Sequence, residues 1–419
     1  MMKKNLKQEV ENIARQAKNA SSDLATLSCA TKNLILKEMA AALLSRQAAI
    51  LKANQKDVLK SRRLGAAFID RLTLNEARIK QMSDSLSEIA KLKDPVDEVM
   101  RAWNAANGLS IQKVRSPIGV VAIIYESRPN VTADCIGLCF KSGNSVILRG
   151  GSEALNSNLA IFKVLQEILQ KHNLAKGSIN LISTADRKAV DYLLKLNDYI
   201  DVVIPRGGEE LIKKVVAASR IPVIKHYKGI CHVYVDEDAD LNMAQDICFN
   251  AKVQRPGVCN AMESMLVHRD VAGRFLPGML KKFQEAGVQV RGCVFTRKIA
   301  KWAKPATEQD YHTEYLDLIL SVKVVDSLDA AIAHINKYGS HHSDSIVTDN
   351  NLAAAKFLKQ VDSACVYLNA STRFTDGNQF GMGAEIGIST DKLHARGPMA
   401  LEELTTYKYL VYGCGQVRR

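Results

Sequence analysis

From about residue 109 the chain alternates short apolar runs with amphipathic segments of helical period, and no other feature restricts its fold as much. The runs "GVVAIIY", "SVILRGG", "INLIS" and "DVVIPRGG" are each followed by a helical pattern. Apolar strands alternating with helices predict an open, mostly parallel sheet covered on both faces. A second series begins after about residue 230, with "CHVYVD", "ESMLVH", "ILSVKVV", "SIVTD" and "ACVYLN" separated by helices. Residues 5–92 read as helices almost throughout. The expected class is therefore α/β, with two doubly wound domains. A chain of 419 residues is long enough for two or three cores.

Composition narrows the functional classes. A 47% hydrophobic and 24% charged content is that of an ordinary globular protein. The basic N-terminus has no apolar stretch behind it, and "IGVVAIIY" is too short to span a bilayer, so a cytoplasmic protein without a membrane partner is expected. Nine cysteines without paired spacing suit a reducing compartment and argue against a zinc site, so no metal is expected. Net charge is +13, but the basic residues form no block, and aromatics are only 6%. That pattern fits a diffuse field steering small anions better than a nucleic-acid surface.

Three places can carry chemistry. Two strand-to-helix turns end in Arg-Gly-Gly, at Arg149-Gly150-Gly151 and Arg206-Gly207-Gly208. Glycines there let backbone N–H groups approach an anion, and the arginines add charge-assisted contacts. The alternative is that Glu153, Glu209 and Glu210 complement a helix dipole while the glycines make tight turns. Neither turn carries the Gly-x-Gly-x-x-Gly dinucleotide fingerprint. The third place is Cys259, in "NAKVQRPGVCNAMESMLVH". Following Pro256-Gly257 in a helix-to-strand loop, it is either a small core residue or an exposed nucleophile. An unperturbed thiol is only about 3% thiolate at pH 7. Arg255, four residues back, could raise that fraction. The residues alone leave both readings open.

The blocks "YESRPN", "RGGSEA", "VVIPRGGEELI" and "QRPGVCNAME", with "TEYLDLILSVKVV" further on, resemble the gamma-glutamyl phosphate reductases, a branch of the aldehyde dehydrogenase superfamily. The resemblance runs through essentially the whole chain. It implies an aldehyde dehydrogenase-like fold with an NADPH-binding domain (1–106 and 126–228), a catalytic domain (229–390) and a small β oligomerisation element (107–125 and 400–419). It implies that Cys259 is the nucleophile and that Arg149, Gly150, Gly151, Ser152 and Glu153 lie on the adenosine side of NADPH. Arg206, Gly207 and Gly208 would sit by the pyrophosphate, and Glu314 resembles the glutamate that holds the nicotinamide ribose. For the superfamily's oxyanion-hole asparagine the candidate is Asn130; a capping role at the helix expected near Thr132 is the other reading.

Where hydrolytic members carry a water-activating glutamate, this chain reads "IPVIKHYKGICH", with Lys225 and His226 in that place. Arg128 and Arg255 are added as anion clamps from charge and position. The reaction implied is reduction of L-glutamyl 5-phosphate to L-glutamate 5-semialdehyde through a Cys259 thioester, in proline biosynthesis. A homo-oligomer and glutamate 5-kinase as functional partner go with it. A coenzyme A-acylating dehydrogenase and a basic nucleic-acid-binding scaffold are the competing readings.

Overall fold

The structure is a computed structural model that describes residues 6–126 and 128–418. These residues divide into two compact units. The first runs to Lys225 and takes in Gly381–Gly387 and everything from Met399; the second comprises His226–Phe380 and Ile388–Pro398.

The first unit opens with helices Leu6–Leu24, Cys29–Ser45, Gln47–Lys60, Ala66–Leu72 and Glu76–Lys91, as the periodicity implies. Strands β1 (Val99–Asn104) and β2 (Ser110–Pro117) pair antiparallel. Four strands then make a parallel sheet: β3 (Val120–Tyr125), β4 (Ser145–Arg149), β5 (Ile179–Leu181) and β6 (Val202–Arg206), in the order β5-β4-β3-β6. Helix Leu6–Leu24 lays Val10, Ala14 and Ala17 on one face, against Val120, Ala122 and Ile124. Elsewhere, helix Asn130–Lys141 comes so close to helix Glu76–Lys91 that a Cβ at Gly137 would lie 2.5 Å from Leu86.

The second unit is one all-parallel sheet of seven strands: β7 (Cys231–Val235), β8 (Met262–His268), β9 (Gln289–Gly292), β10 (Lys304–Pro305), β11 (Ile319–Val325), β12 (Ser343–Val347) and β13 (Cys365–Leu368). Their order is β10-β9-β11-β8-β7-β12-β13. Every residue of β7, β8 and β12 is buried, as expected of strands covered on both faces. The chain leaves this unit through β14 (Gly387–Ser389) and β15 (Gly397–Met399) and ends in β16 (Thr405–Tyr412), which pairs antiparallel with β2.

Both expected α/β series are present, with two differences. Residues 120–125 were expected in the small β element with β2 and β16. They form instead an inner strand of the four-stranded sheet, because a wholly apolar six-residue run is satisfied only by partners on both sides. Residues 381–387 fall in the first unit, although the catalytic domain was expected to reach 390. Strands β9 and β10 are too short to have been read from pattern. Among the described residues no helix is long and apolar enough to cross a membrane.

In the second unit the segment 388–398 is tied down by charge. Lys392 reaches Asp362 at 2.7 Å and Arg396 reaches it at 2.8 Å. Hydrogen bonds from Lys392 and Arg396 lower the Asp362 pKa from 3.8 to about 2. A depressed carboxyl stabilises the fold above its unfolded pKa and loses that contribution as pH falls through the folded value. Hydrogen exchange of residues 388–398 should therefore be pH-independent in protection above about 4 and lose protection progressively toward pH 2. In Asp362→Asn the protection should already be reduced at neutral pH.

Candidate active site

Cys259 lies in the loop between helix Leu241–Val253 and β8, and it is half-buried. Gly229, just before β7, passes directly beneath it: a Cβ there would sit 1.9 Å from the Cys259 carbonyl oxygen. Only glycine permits that approach. The Cys231 thiol donates to the same carbonyl at 3.2 Å. Burial pushes the Cys231 thiol well above the ordinary cysteine range, so it serves as a protonated donor. The Gly229 N–H in turn donates to Glu314 Oε1 at 2.8 Å. The backbone under Cys259 and the carboxylate expected at the cofactor ribose are thus linked through one residue.

Asn260 is buried and fully engaged. Its Nδ2 donates to the Thr375 carbonyl at 2.9 Å and to the Arg373 carbonyl at 3.3 Å, and its own carbonyl accepts from Thr372 Oγ1 at 2.7 Å. Its Oδ1 accepts from Arg373 Nη1. Arg373 Nε also donates to Gln254 Oε1 at 2.8 Å. The segment 372–375 therefore grips the Cys259 loop from both sides.

The base of that loop is closed by charge. Lys252, at the end of the preceding helix, meets Glu263 in β8 at 2.6 Å, with both side chains fully buried. Glu263 is the extra residue where the β7–β8 register shifts, between the pairs Cys231–Met262 and His232–Ser264. Its Oε1 accepts from the Leu316 N–H at 3.0 Å, two residues beyond Glu314. Burial raises Glu263 to about 7 against the opposing Lys252 charge, and burial likewise lowers Lys252.

The other residues expected in the second unit are placed differently. Arg255 is exposed. His226 is half-buried and stacks edge-on to His342, with ring centroids 5.9 Å apart. From His342 Nδ1 a buried chain continues through Ser343 Oγ (2.8 Å) and Thr375 Oγ1 (2.6 Å) to the Tyr367 hydroxyl (2.6 Å). Glu237, His268 and Asp270 bring ligand atoms within 4.8 Å of one another, but His268 Nδ1 accepts from the Asp270 N–H as a helix cap.

In the first unit the two Arg-Gly-Gly turns lie at the carboxyl ends of β4 and β6 and differ in occupancy. Arg149 is only 9% exposed; Nη2 donates to the Ala185 carbonyl at 3.2 Å, and Nε is buried without a partner. Burial lowers its pKa, with Glu153 opposing and Arg187 reinforcing that shift. Gly150 admits the Asn158 amide, which would lie 2.1 Å from a Cβ. Ser152 Oγ donates to Glu153 Oε2 at 3.3 Å. At the second turn the Gly208 N–H already donates to Glu126 Oε2 at 2.9 Å, and the same carboxylate covers Gly207. A phosphate there would have to displace Glu126. The Arg206 guanidinium lies where a Cβ on Gly387 would be, 2.5 Å from its Nη1. Asn130 is the first residue of its helix, not its cap, which is Pro129; its Nδ2 donates to Asp134 Oδ2 at 3.3 Å. The capping reading is thus corrected, because the helix starts two residues earlier than expected. Arg128 is exposed, Lys225 is half-buried, and the boundary between the units falls after Lys225.

Sequence reasoning missed Gly229, Arg373 and the Lys252–Glu263 pair. A glutamate inside a strand expected to be buried on both faces was the available signal for the pair. Its removal is a direct test. Glu263→Gln leaves a buried ammonium without its counter-charge and should cost about 3–5 kcal/mol in denaturant unfolding. The double change Lys252→Met/Glu263→Leu should cost markedly less.

Residues 2–291 match the model of the "Aldehyde dehydrogenase family". Over 413 residues the chain is 57% identical to a gamma-glutamyl phosphate reductase of Caldanaerobacter subterraneus subsp. tengcongensis, covering 98% of this chain and 100% of that one. It is 55% identical over 416 residues to that of Thermodesulfovibrio yellowstonii, covering 99% and 100%. The crystal structure of gamma-glutamyl phosphate reductase from Thermotoga maritima superposes with a TM-score of 0.96 at 48% identity, over 98% of this chain and 100% of that one. Fold, full-length identity and the Cys259 loop agree: this chain belongs to the aldehyde dehydrogenase family, in its gamma-glutamyl phosphate reductase branch.

Proposed function

We propose that the protein is an oxidoreductase of the cytoplasm that converts L-glutamyl 5-phosphate to L-glutamate 5-semialdehyde and phosphate, with NADPH as reductant, in proline biosynthesis. The observation that carries this reading is the gripped Cys259 loop in a chain 57% identical, end to end, to a gamma-glutamyl phosphate reductase. The Cys259 thiolate attacks the acyl carbon; the S–C bond forms and the C–O bond to phosphate breaks. NADPH, when bound, supplies hydride to that carbon. Cys259 then leaves as thiolate while the aldehyde carbonyl reforms. Donors are needed each time the carbonyl oxygen takes up charge, and the Cys259 backbone N–H and the Asn130 amide are the proposed ones. Arg128, Arg255, Lys225 and His226 supply positive charge for the substrate's carboxylate and phosphate.

Arg149 suits a phosphorylated nicotinamide cofactor. A nearly buried guanidinium with an unpartnered Nε suits an anion, and a ribose 2′-phosphate supplies one. Ser152 and Glu153 would hold the adenosine beside it, Arg206, Gly207 and Gly208 the pyrophosphate, and Glu314 the nicotinamide ribose. A homo-oligomer is proposed through the β16 edge, where Tyr407, Tyr409, Val411 and Tyr412 are exposed. Glutamate 5-kinase is the proposed source of the acyl phosphate.

The absence of a carboxylate in "KHYKG" makes the thioester slow to hydrolyse. Semialdehyde and NADP⁺ should therefore yield NADPH fast only with phosphate or arsenate, by a factor of about 10² to 10⁴. Comparable rates in phosphate-free buffer, with glutamate as product, would refute the reading. Cys259→Ala should abolish this turnover while NADPH still binds, as followed by fluorescence titration. Arg149→Ala should raise KM for NADPH roughly 10- to 100-fold more than KM for NADH, the worth of one charge-assisted contact. An equal rise for both would place Arg149 outside the 2′-phosphate site.

A further inference from the structure

Beyond the four anion-binding residues expected from sequence, a fifth cation stands at the nucleophile. Arg373 follows β13, 114 positions beyond Cys259 and in no readable pattern with it, yet it is locked against the Cys259 loop. Its Nε is spent on Gln254 at 2.8 Å and its Nη1 on Asn260, five residues before and one after the nucleophile. The hydrogen bonds of the guanidinium thus use Nε and Nη1 and leave the Nη2 edge, and among the described residues Arg373 makes no ion pair with a carboxylate. Burial and the like charge of Arg255 both lower its pKa, while Cys259 and the Asp376 carboxylate oppose them. A part-buried guanidinium that makes no direct ion pair and feels a second guanidinium favours an anion on its remaining edge.

We propose that Arg373 is a further substrate-binding residue, whose guanidinium, fixed by Gln254 and Asn260, takes the phosphoryl group of the acyl phosphate through its remaining edge. The inference rests on the reductase reading. The phosphoryl oxygen is bonded to the carbon that Cys259 attacks, whereas the substrate's carboxylate lies at the far end of its carbon chain. A cation fixed to the residues flanking the nucleophile therefore meets the leaving group first. There it offsets charge as the C–O bond breaks, and it positions inorganic phosphate in the reverse direction.

The test is the reverse reaction, with phosphate, semialdehyde and NADP⁺ titrated separately. Wild-type turnover without phosphate would sink the reductase reading itself, independently of Arg373. Given phosphate dependence, Arg373→Ala should raise KM for phosphate about 10- to 100-fold. KM for semialdehyde and NADP⁺ should stay essentially unchanged. Added guanidinium chloride at low concentration should restore part of the loss. Arg373→Lys, which keeps charge and stem, should shift KM for phosphate alone and by less; it carries the test should the alanine variant fail to fold. A rise in KM for semialdehyde equal to that for phosphate, or an unchanged KM for phosphate, would each overturn the assignment.

Discussion

The parallel pairing of β7 with β8 is the constraint on which the site depends. It sets the amino ends of two buried strands side by side, so that the segment entering β7 must pass under the loop entering β8. Gly229 makes that passage possible, and the carbonyl of Cys259 is fixed from below by it and by Cys231. Cys259 thus stands at the amino ends of its sheet. The Arg-Gly-Gly turns of the first unit stand at the carboxyl ends of theirs, the usual place for ligands in open α/β sheets.

The Lys252–Glu263 pair closes the same loop at its base. A buried ion pair is a weak source of net stability, because desolvation offsets most of the attraction. What it supplies here is geometry. Lys252 ends the helix before Cys259, Glu263 occupies the bulge after it, and Glu263 also holds the Leu316 N–H. Through that bond and the Gly229–Glu314 bond, the Cys259 loop and the segment 314–316 share one support.

Much of the architecture was legible because it is written in local periodicity. The helix Leu241–Val253 and strands β3, β6, β7 and β11 fall on the runs that patterning singles out. β9 and β10 escaped because four and two residues carry no period. Asn130 was misread as a cap candidate because Pro129 begins the helix earlier than the apolar pattern does. The two turns share Arg-Gly-Gly in sequence, yet Glu126 covers the second while Arg149 of the first keeps a buried, unpartnered Nε.

The sequence by itself determined the α/β class, both strand–helix series, the family resemblance and the prominence of Cys259. These depend on neighbours within a few residues, where side-chain period, turn residues and motif spacing act. Only the tertiary structure decided which groups surround the cysteine. Arg373 lies 114 positions beyond it, Glu314 55 beyond, and Gly229 30 before. Sheet order brings their segments to one strand end, and strand order has no local signature, because it is fixed by which buried faces and backbone donors find partners across the whole unit.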